Sequence, residues 1–230
     1  MGIDAVITGD IVKSRKINDA DIEKVINSLK ETFNEINRQL LDGKGTFEIF
    51  RGDSFQGHLP QPELALLVAI ILRARLRTYE PSIGLADQIK TDKPILRAYS
   101  DARIAIGVGT TRYNADKITE SQGEAFLKSG NSFDALSKEN ERLAIMTPWE
   151  NINSELSVSC KLADALISKW TASTAEAVYH YLLYNINQKE LAKRLAITQP
   201  GVHKRLAIYG NINSIQAFIN RYQELIIKAK

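Results

Sequence analysis

Two carboxylates in the first quarter of the chain each follow a short apolar run. Asp10 ends the sequence IDAVITGD, and Asp53 lies at the polar tip of FEIFRGDSFQG. Alternating apolar and polar residues around Asp53 predict a β-hairpin with Gly52 in its turn. Paired carboxylates are the oxygen ligands that Mg²⁺ or Mn²⁺ prefers, and such a cation also binds phosphates. We expect a metal site if the fold brings the two together; ordinary turn chemistry is the alternative for each Asp alone.

The residues next to these carboxylates suit a phosphate group. The stretch IVKSRK after Asp10 offers backbone N–H groups, a hydroxyl and three cationic side chains just before a helix. Helix N-termini and such donors bind phosphates. Arg51 suits either a phosphate or Asp53. The residues expected to contact a nucleotide are Gly9, Lys13, Ser14, Arg15, Arg51, Gly52 and Gln56.

A second polar cluster lies in the stretch NQKELAKRLAITQPGVHKRL. Its pattern predicts a helix-turn-helix, with the small Ala192 where two helices cross, Ile197 in the turn and Thr198 as the cap of the second helix. Val202 and Leu206 are expected to pack inward. The residues expected to contact DNA are Gln188, Lys189, Thr198, Gln199, Gly201, His203, Lys204 and Arg205. A helical bundle with a solvated polar face is the alternative.

The elements that must position the carboxylates alternate between strand and helix. A strand over Asp4–Gly9, a long amphipathic helix, the hairpin, a second helix, a strand, a third helix and a closing strand predict an α+β, ferredoxin-like fold. In such a sheet the first strand neighbours the hairpin, so Asp10 and Asp53 meet at one end. Residues 81–100 hold two prolines and predict an insertion loop with a helical turn in it. Beyond Trp149 the patterns are helical throughout.

Charge divides the chain into two parts. The 230 residues have a formal net charge of +3, but residues 158–230 hold ten Lys and Arg against four Asp and Glu. That part is net +6 and the part before it net −3. We therefore predict a nucleotide- and metal-binding domain over residues 1–150 and a DNA-binding domain over 158–230, joined by a polar linker, ENINSELS.

Three further features indicate the cellular compartment. The start MGIDAVITGD lacks the basic and apolar regions of a signal peptide. The longest apolar run, LALLVAIIL, is too short to span a bilayer. The one cysteine, Cys160, excludes an internal disulfide and fits a reducing environment. We expect a cytoplasmic protein that is not bound to a membrane.

Four motifs occur in an order that resembles the bacterial SatD-like family. They are Gly9-Asp10-Ile11 with Ser14-Arg15, then Gly52-Asp53-Ser54-Phe55-Gln56-Gly57, Ile106-Gly107-Val108-Gly109 and Gly123-Glu124-Ala125-Phe126. More broadly, residues 3–147 resemble the palm-type nucleotide cyclase superfamily, which includes class III adenylate and guanylate cyclases and GGDEF diguanylate cyclases. The resemblance implies a palm domain in which Asp10, Asp53 and the carbonyl of Ile11 bind Mg²⁺ or Mn²⁺.

The sequence departs from the cyclases at one place. The cyclases carry an Asn and an Arg on the helix that follows a stretch of the type G-D/N-T/S-V-N. If Gly123 is the matching glycine, this chain has Leu127 and Asn131 at those positions, and if Gly130 is, it has Asp134 and Lys138. We therefore predict a nucleotide-responsive, DNA-binding transcriptional regulator, homodimeric, whose cyclase-like domain is a catalytically degenerate sensor. The alternative is a metal-dependent nucleotidyl cyclase or phosphotransferase whose helical domain mediates protein contacts.

Overall fold

The computed structural model describes residues 2–14, 17–50, 52–80, 100–112, 118, 121–139 and 141–230. The strands are β1 (Ile3–Ile11), β2 (Thr46–Phe50), β3 (Ser54–Leu59), β4 (Ala102–Arg112), β5 (Gln122–Gly123) and β6 (Leu143–Met146). The helices are α1 (Asp19–Leu40), α2 (Ala65–Leu76), α3 (Glu124–Glu139), α4 (Glu150–Ile167), α5 (Ala172–Tyr184), α6 (Gln188–Arg194), α7 (Gln199–His203) and α8 (Ile212–Ala229). The insertion loop predicted over 81–100 lies outside the described residues except for Ser100.

The sheet has the strand order of a ferredoxin-like fold. Strands run β2-β3-β1-β4, and each neighbouring pair in this row is antiparallel. The helices α1 and α2 each connect two parallel strands that have one antiparallel strand between them, which is the split βαβ arrangement. Strand β6 adds a parallel neighbour to β4, and β5 pairs with the far end of β4. The predicted α+β fold is confirmed.

The two faces of the sheet are covered differently. Alternate residues of a strand point to opposite faces, and the aromatic ring of Phe33 on α1 packs 5.8 Å from that of Phe55 on β3. Helix α3 covers β4 on the other face, so closely that a Cβ on Gly107 would collide with the carbonyl oxygen of Ala125. The glycine of the IGVG motif therefore has a packing reason.

Helix α4 begins directly after the sheet. The stretch ENINSELS, which we predicted to be a linker, forms its first turns, because Ile152 and Leu156 lie at helical spacing and are both buried. That prediction was wrong. Within the described residues, no helix is both long and apolar enough to cross a membrane.

The later helices pack on the helices of the front part. Tyr179 and Tyr184 of α5 both donate hydrogen bonds to the Glu35 carboxylate on α1. Tyr222 of α8 donates a hydrogen bond of 2.8 Å to the carbonyl oxygen of Pro62. Buried apolar side chains form one continuous cluster that includes members from both parts of the chain. The division at residues 150–158 stays a prediction.

A buried ionic network joins the sheet to the later helices. Asp101, directly before β4, accepts hydrogen bonds from Arg73 of α2, from Arg77 directly after α2 and from Arg142 before β6. Arg77 also donates to the carbonyl oxygens of Ser168 and Trp170, at 2.8 and 2.7 Å, in the α4–α5 connection. Burial alone would raise the pKa of the Asp101 carboxyl, but the arginines, Arg73 first, hold that pKa well below its usual range.

Candidate functional site

The two predicted carboxylates lie at the same end of the sheet. Asp10 is near the end of β1 and pairs in register with Ser54, the residue after Asp53. The backbone N–H of Ile11 donates to the carbonyl oxygen of Asp53 at 3.2 Å. Gly52 adopts a φ of 83° in the hairpin turn, which the missing side chain of glycine permits. The predicted convergence of Asp10 and Asp53 is therefore present, while metal binding by them stays a prediction.

Asp10 forms a bidentate ion pair that the sequence did not indicate. Arg103 lies opposite Asp10 on β4. Its Nε donates to Asp10 Oδ1 at 2.9 Å and its Nη2 to Asp10 Oδ2. The guanidinium carbon lies 5.7 Å from the centre of the Phe133 ring on α3. The hydrogen bonds with Asp10 raise the pKa of Arg103 against the effect of burial, and the charges of Asp10 and Asp53 add to the rise.

Asp53 has a different partner. The Ser14 hydroxyl donates to Asp53 Oδ2, and Ser54 Oγ lies 3.5 Å from Asp53 Oδ1. Ser14 reaches the hairpin because the chain turns sharply after β1, where Lys13 has a φ of 58° and an exposed side chain. Two other predicted nucleotide contacts, Arg15 and Arg51, lie outside the described residues.

The remaining predicted nucleotide contacts, Gly9 and Gln56, differ in what they offer a ligand at this site. Gln56 shares the face of Asp10 but is one layer further along the sheet, where its Nε2 lies 3.3 Å from the Thr8 hydroxyl. A Cβ on Gly9 would collide with the Phe55 ring on the opposite face. Gly9 is thus explained by packing, and its backbone alone is available for a ligand.

The donors at this end of the sheet fit a magnesium ion under one condition. Mg²⁺ commonly binds through one or two carboxylates and keeps several waters, and here Asp10 and Asp53 lie beside the hydroxyls of Ser14 and Ser54. No group of three or more His, Cys, Asp or Glu side chains that could hold a metal occurs in the described part of the chain. The condition is that Asp10, whose two oxygens both accept from Arg103, exchanges that partner.

The second cluster forms two short helices joined by a turn, which is compatible with the predicted helix-turn-helix. Helix α6 begins at Gln188 behind a capping box formed by Asn187, and α7 begins behind Thr198, whose hydroxyl accepts from the N–H of Gly201. Ala192, Val202 and Leu206 are buried as predicted. The turn contains Ala196 with a φ of 51°, a left-handed conformation that favours glycine. After α7 the chain continues as a π-helical segment over Lys204–Tyr209.

Four of the eight residues predicted to contact DNA share one surface. A shallow depression of about 520 Å³ is lined by Gln188, Gln199, Pro200, His203, Lys204 and Ile208. Lys189 and Thr198 are exposed, and Gly201 is half-buried. Arg205 differs, because its Nη1 lies 3.2 Å from the Glu176 carboxylate and 3.4 Å from the Ser173 carbonyl oxygen on α5. Arg205 is thus tied to α5.

Helix α6 is fixed to α5 by one arginine. The Nε of Arg194 donates to Nδ1 of His180 at 3.1 Å, and its guanidinium carbon lies 3.9 Å from the centre of the Tyr184 ring. Burial first, and then the positive charges of Arg194 and Arg75, lower the pKa of His180 to about 4. His180 is therefore a neutral acceptor at pH 7.

A further cavity lies away from both clusters. It measures about 700 Å³ and lies between α3, β6 and α4. A Glu141–Lys161 ion pair of 2.8 Å lies at its wall, and Leu127 and Met146 expose apolar surface beside it. Four residues named in the sequence analysis line it: Glu124 of the fourth motif, Leu127 and Asn131 on α3, and Cys160 on α4. None of them was predicted to bind a metal, a nucleotide or DNA.

Comparison with known proteins gives one family and several distant structures. The model of the SatD family matches residues 4–219, and no curated protein matches the chain. Two structures of a bacterial light-regulated adenylyl cyclase are 12% and 14% identical, each over 63% of this chain and over 75% and 43% of their own, both with a TM-score of 0.36. The adenylyl cyclase CyaB from P. aeruginosa is 18% identical over 58% of this chain and 71% of its own, with a TM-score of 0.33. TM-scores this low support no conclusion about the function of this chain.

Proposed function

Because the chain belongs to the SatD family, whose model spans both polar clusters, we propose one function that uses both. The helix-turn-helix binds DNA, and the Asp10–Asp53 end of the sheet binds a nucleotide together with Mg²⁺ or Mn²⁺. The nucleotide state biases DNA binding, and the chain acts as a homodimer. This function is that of a ligand-responsive transcriptional regulator.

The arrangement of α6 and α7 carries the proposal. The exposed side chains of Gln199, His203 and Lys204 follow the capped N-terminus of α7 and share a surface with Gln188 from α6. In helix-turn-helix proteins the N-terminal residues of the second helix contact base edges, while neighbouring cations and N–H groups bind phosphates. The net charge of +6 over residues 158–230 favours the same partner.

DNA binding is tested with a fluorescein-labelled duplex of mixed sequence over a salt series. The variant is Lys204→Ala, and the control is Lys30→Ala, which removes the same charge from the exposed face of α1. Lys204→Ala should weaken binding and reduce the slope of log K against log salt by about one. An affinity and a slope equal to those of the control variant would reject the proposal.

Nucleotide binding is tested by thermal unfolding with each of the four nucleoside triphosphates and Mg²⁺. A ligand that binds only the folded state raises the melting temperature, and the rise grows with the logarithm of ligand concentration above Kd. Asp53→Asn should abolish the rise, whereas Asp42→Asn, an exposed carboxylate after α1, should retain it. If no triphosphate raises the melting temperature of the unaltered chain, the nucleotide site is absent.

A metal-dependent nucleotidyl cyclase or phosphotransferase is the second candidate. The observation in its favour is the pair of carboxylates at one sheet end, since two such groups hold the cation that positions a triphosphate in phosphoryl transfer. When bound, the cation would bind the phosphate oxygens and offset their charge. Incubation with labelled triphosphates and Mn²⁺ separates the candidates: turnover that Asp53→Asn abolishes favours the enzyme, and no product from any of the four excludes it.

A further inference from the structure

Arg103 is a cation already present at the candidate metal site. It donates to both oxygens of Asp10, and the nearby negative charge of Asp53 acts on it as well. We propose that Arg103 competes with the divalent cation for Asp10, so that a cation–nucleotide complex binds when Arg103 transfers from Asp10 to the phosphates. This proposal rests on the nucleotide site proposed above and adds to it a residue that controls metal access and binds the ligand.

The competition follows from the directions of the hydrogen bonds. A guanidinium that binds a carboxylate side-on uses both oxygens, which are the atoms a cation needs. Asp10, Asp53 and Arg103 together carry one net negative charge, so Arg103 alone offsets half of the charge of the two carboxylates. A cation that binds Asp10 must therefore displace the arginine, and its measured affinity is lowered by the strength of that ion pair.

The ion pair is placed where it can exchange. The side chains of Arg103 and Asp10 are 28% and 16% exposed, whereas those of Arg73 and Asp101 in the interior network are 0% and 1% exposed. A partly hydrated pair is held much less strongly than a buried one, because water can replace each partner. The Arg73–Asp101 pair is thus expected to persist, whereas the Arg103–Asp10 pair can open.

The released guanidinium remains next to the ligand. The Phe133 ring lies beside it, so a rotated Arg103 keeps an aromatic contact of the cation–π kind. A guanidinium presents two parallel N–H donors that match a phosphate, and an ammonium group does not. Arg103 is therefore expected to lower the affinity for the free metal and to raise the affinity for the triphosphate, so one residue has two effects of opposite sign.

The test measures Mn²⁺ alone and nucleotide separately on the full chain. Free Mn²⁺ is followed by electron paramagnetic resonance, and triphosphate binding by calorimetry at saturating Mn²⁺. Arg103→Met keeps the length of the side chain but removes its charge; Arg38→Met, an exposed position on α1, is the control. Arg103→Met should bind Mn²⁺ at least ten-fold more tightly and the triphosphate at least ten-fold more weakly. Arg103→Lys should give intermediate values, and it replaces Arg103→Met if that variant does not fold.

The outcomes separate this inference from the function on which it rests. Equal Mn²⁺ affinity in the unaltered chain, Arg103→Met and Arg103→Lys would refute the competition while leaving the metal site intact. Weaker Mn²⁺ binding in Arg103→Met would refute it as well, because the arginine would then support the metal. Absence of Mn²⁺ binding in every variant would remove the metal site, and the competition with it.

Discussion

Replacing Asp101 by asparagine should cause a large loss of stability. Asp101 Oδ1 accepts from Arg73 and from the N–H of Ala102, and Oδ2 accepts from Arg73, Arg77 and Arg142. An asparagine in either orientation turns its NH₂ group towards at least two of these donors. The substitution also removes the negative charge from a place where Arg73 is completely buried.

The size of the loss follows from the burial of each partner. Removing one partner of a buried ion pair typically costs about 3–5 kcal/mol of unfolding free energy. The lower half of that range applies here, because Asp164 remains 2.8 Å from Arg73 and the Arg142 side chain is 29% exposed. A loss of about 3–4 kcal/mol lowers the melting temperature of a chain of this size by about 6–16 °C. This loss of about 3–4 kcal/mol is a large part of the usual unfolding free energy of about 5–15 kcal/mol.

The assay is urea unfolding followed by tryptophan fluorescence, since Trp170 is buried beside the network. The control is Glu155→Gln, which removes a carboxylate that also accepts two hydrogen bonds from an arginine, Arg221, but on the surface. Such an exposed pair contributes about 0–1 kcal/mol. If Asp101→Asn costs no more than Glu155→Gln, the interior network is not a stabilising element and the reasoning is wrong.

Three smaller changes test other parts of the structure. Ala196→Gly should stabilise the chain by up to about 1 kcal/mol in urea unfolding, because relief of the left-handed alanine outweighs the entropy of glycine in the unfolded chain; a loss of stability would contradict the turn. His180→Phe should flatten the pH dependence of stability between about pH 6.5 and 4. Because the pKa of His180 is lowered in the folded chain, the unfolded chain binds the proton more readily in this range. The unaltered chain therefore loses stability as the pH falls from about 6.5 to about 4. An unchanged slope would show that His180 is not held neutral. Gly107→Ala should lower the melting temperature sharply through a clash with Ala125, whereas Gly130→Ala, with open space around it, should not; equal effects would disprove the close packing of α3.

Patterns within short stretches of sequence predicted the strands, helices and caps of the molecule, because these features depend on neighbouring residues. Strand and helix periodicity gave the order of the sheet and the meeting of Asp10 with Asp53, because neighbouring strands follow from the split βαβ connection. The cap at Thr198 and the burial of Val202 in the second short helix were predictable for the same reason, since they lie within a few residues of each other. Such features need no knowledge of distant contacts.

The contacts that decide the chemistry of the site are distant in sequence. Arg103 is 93 residues from Asp10, and only the register of β1 against β4 makes them partners. The linker prediction failed because its polar composition concealed two apolar residues at helical spacing, Ile152 and Leu156. Arg205, which we predict to contact DNA, also pairs with Glu176, and this pairing is set by the packing of α5 and not by any local pattern.

The arginine that bridges the two parts of the chain also constrains the order of folding during synthesis. Arg77 is synthesised early, but the carbonyl groups that accept its hydrogen bonds, those of Ser168 and Trp170, follow 91 and 93 residues later. The hydrogen bond between Pro62 and Tyr222 joins residues that are 160 positions apart. Pairings over such separations form late and slowly. As the nascent chain leaves the ribosome, the sheet can assemble while the outer side of α2 stays open to water. The side of α2 that the later helices cover is therefore the apolar surface that is exposed longest, and it is fully buried only after those helices have been made.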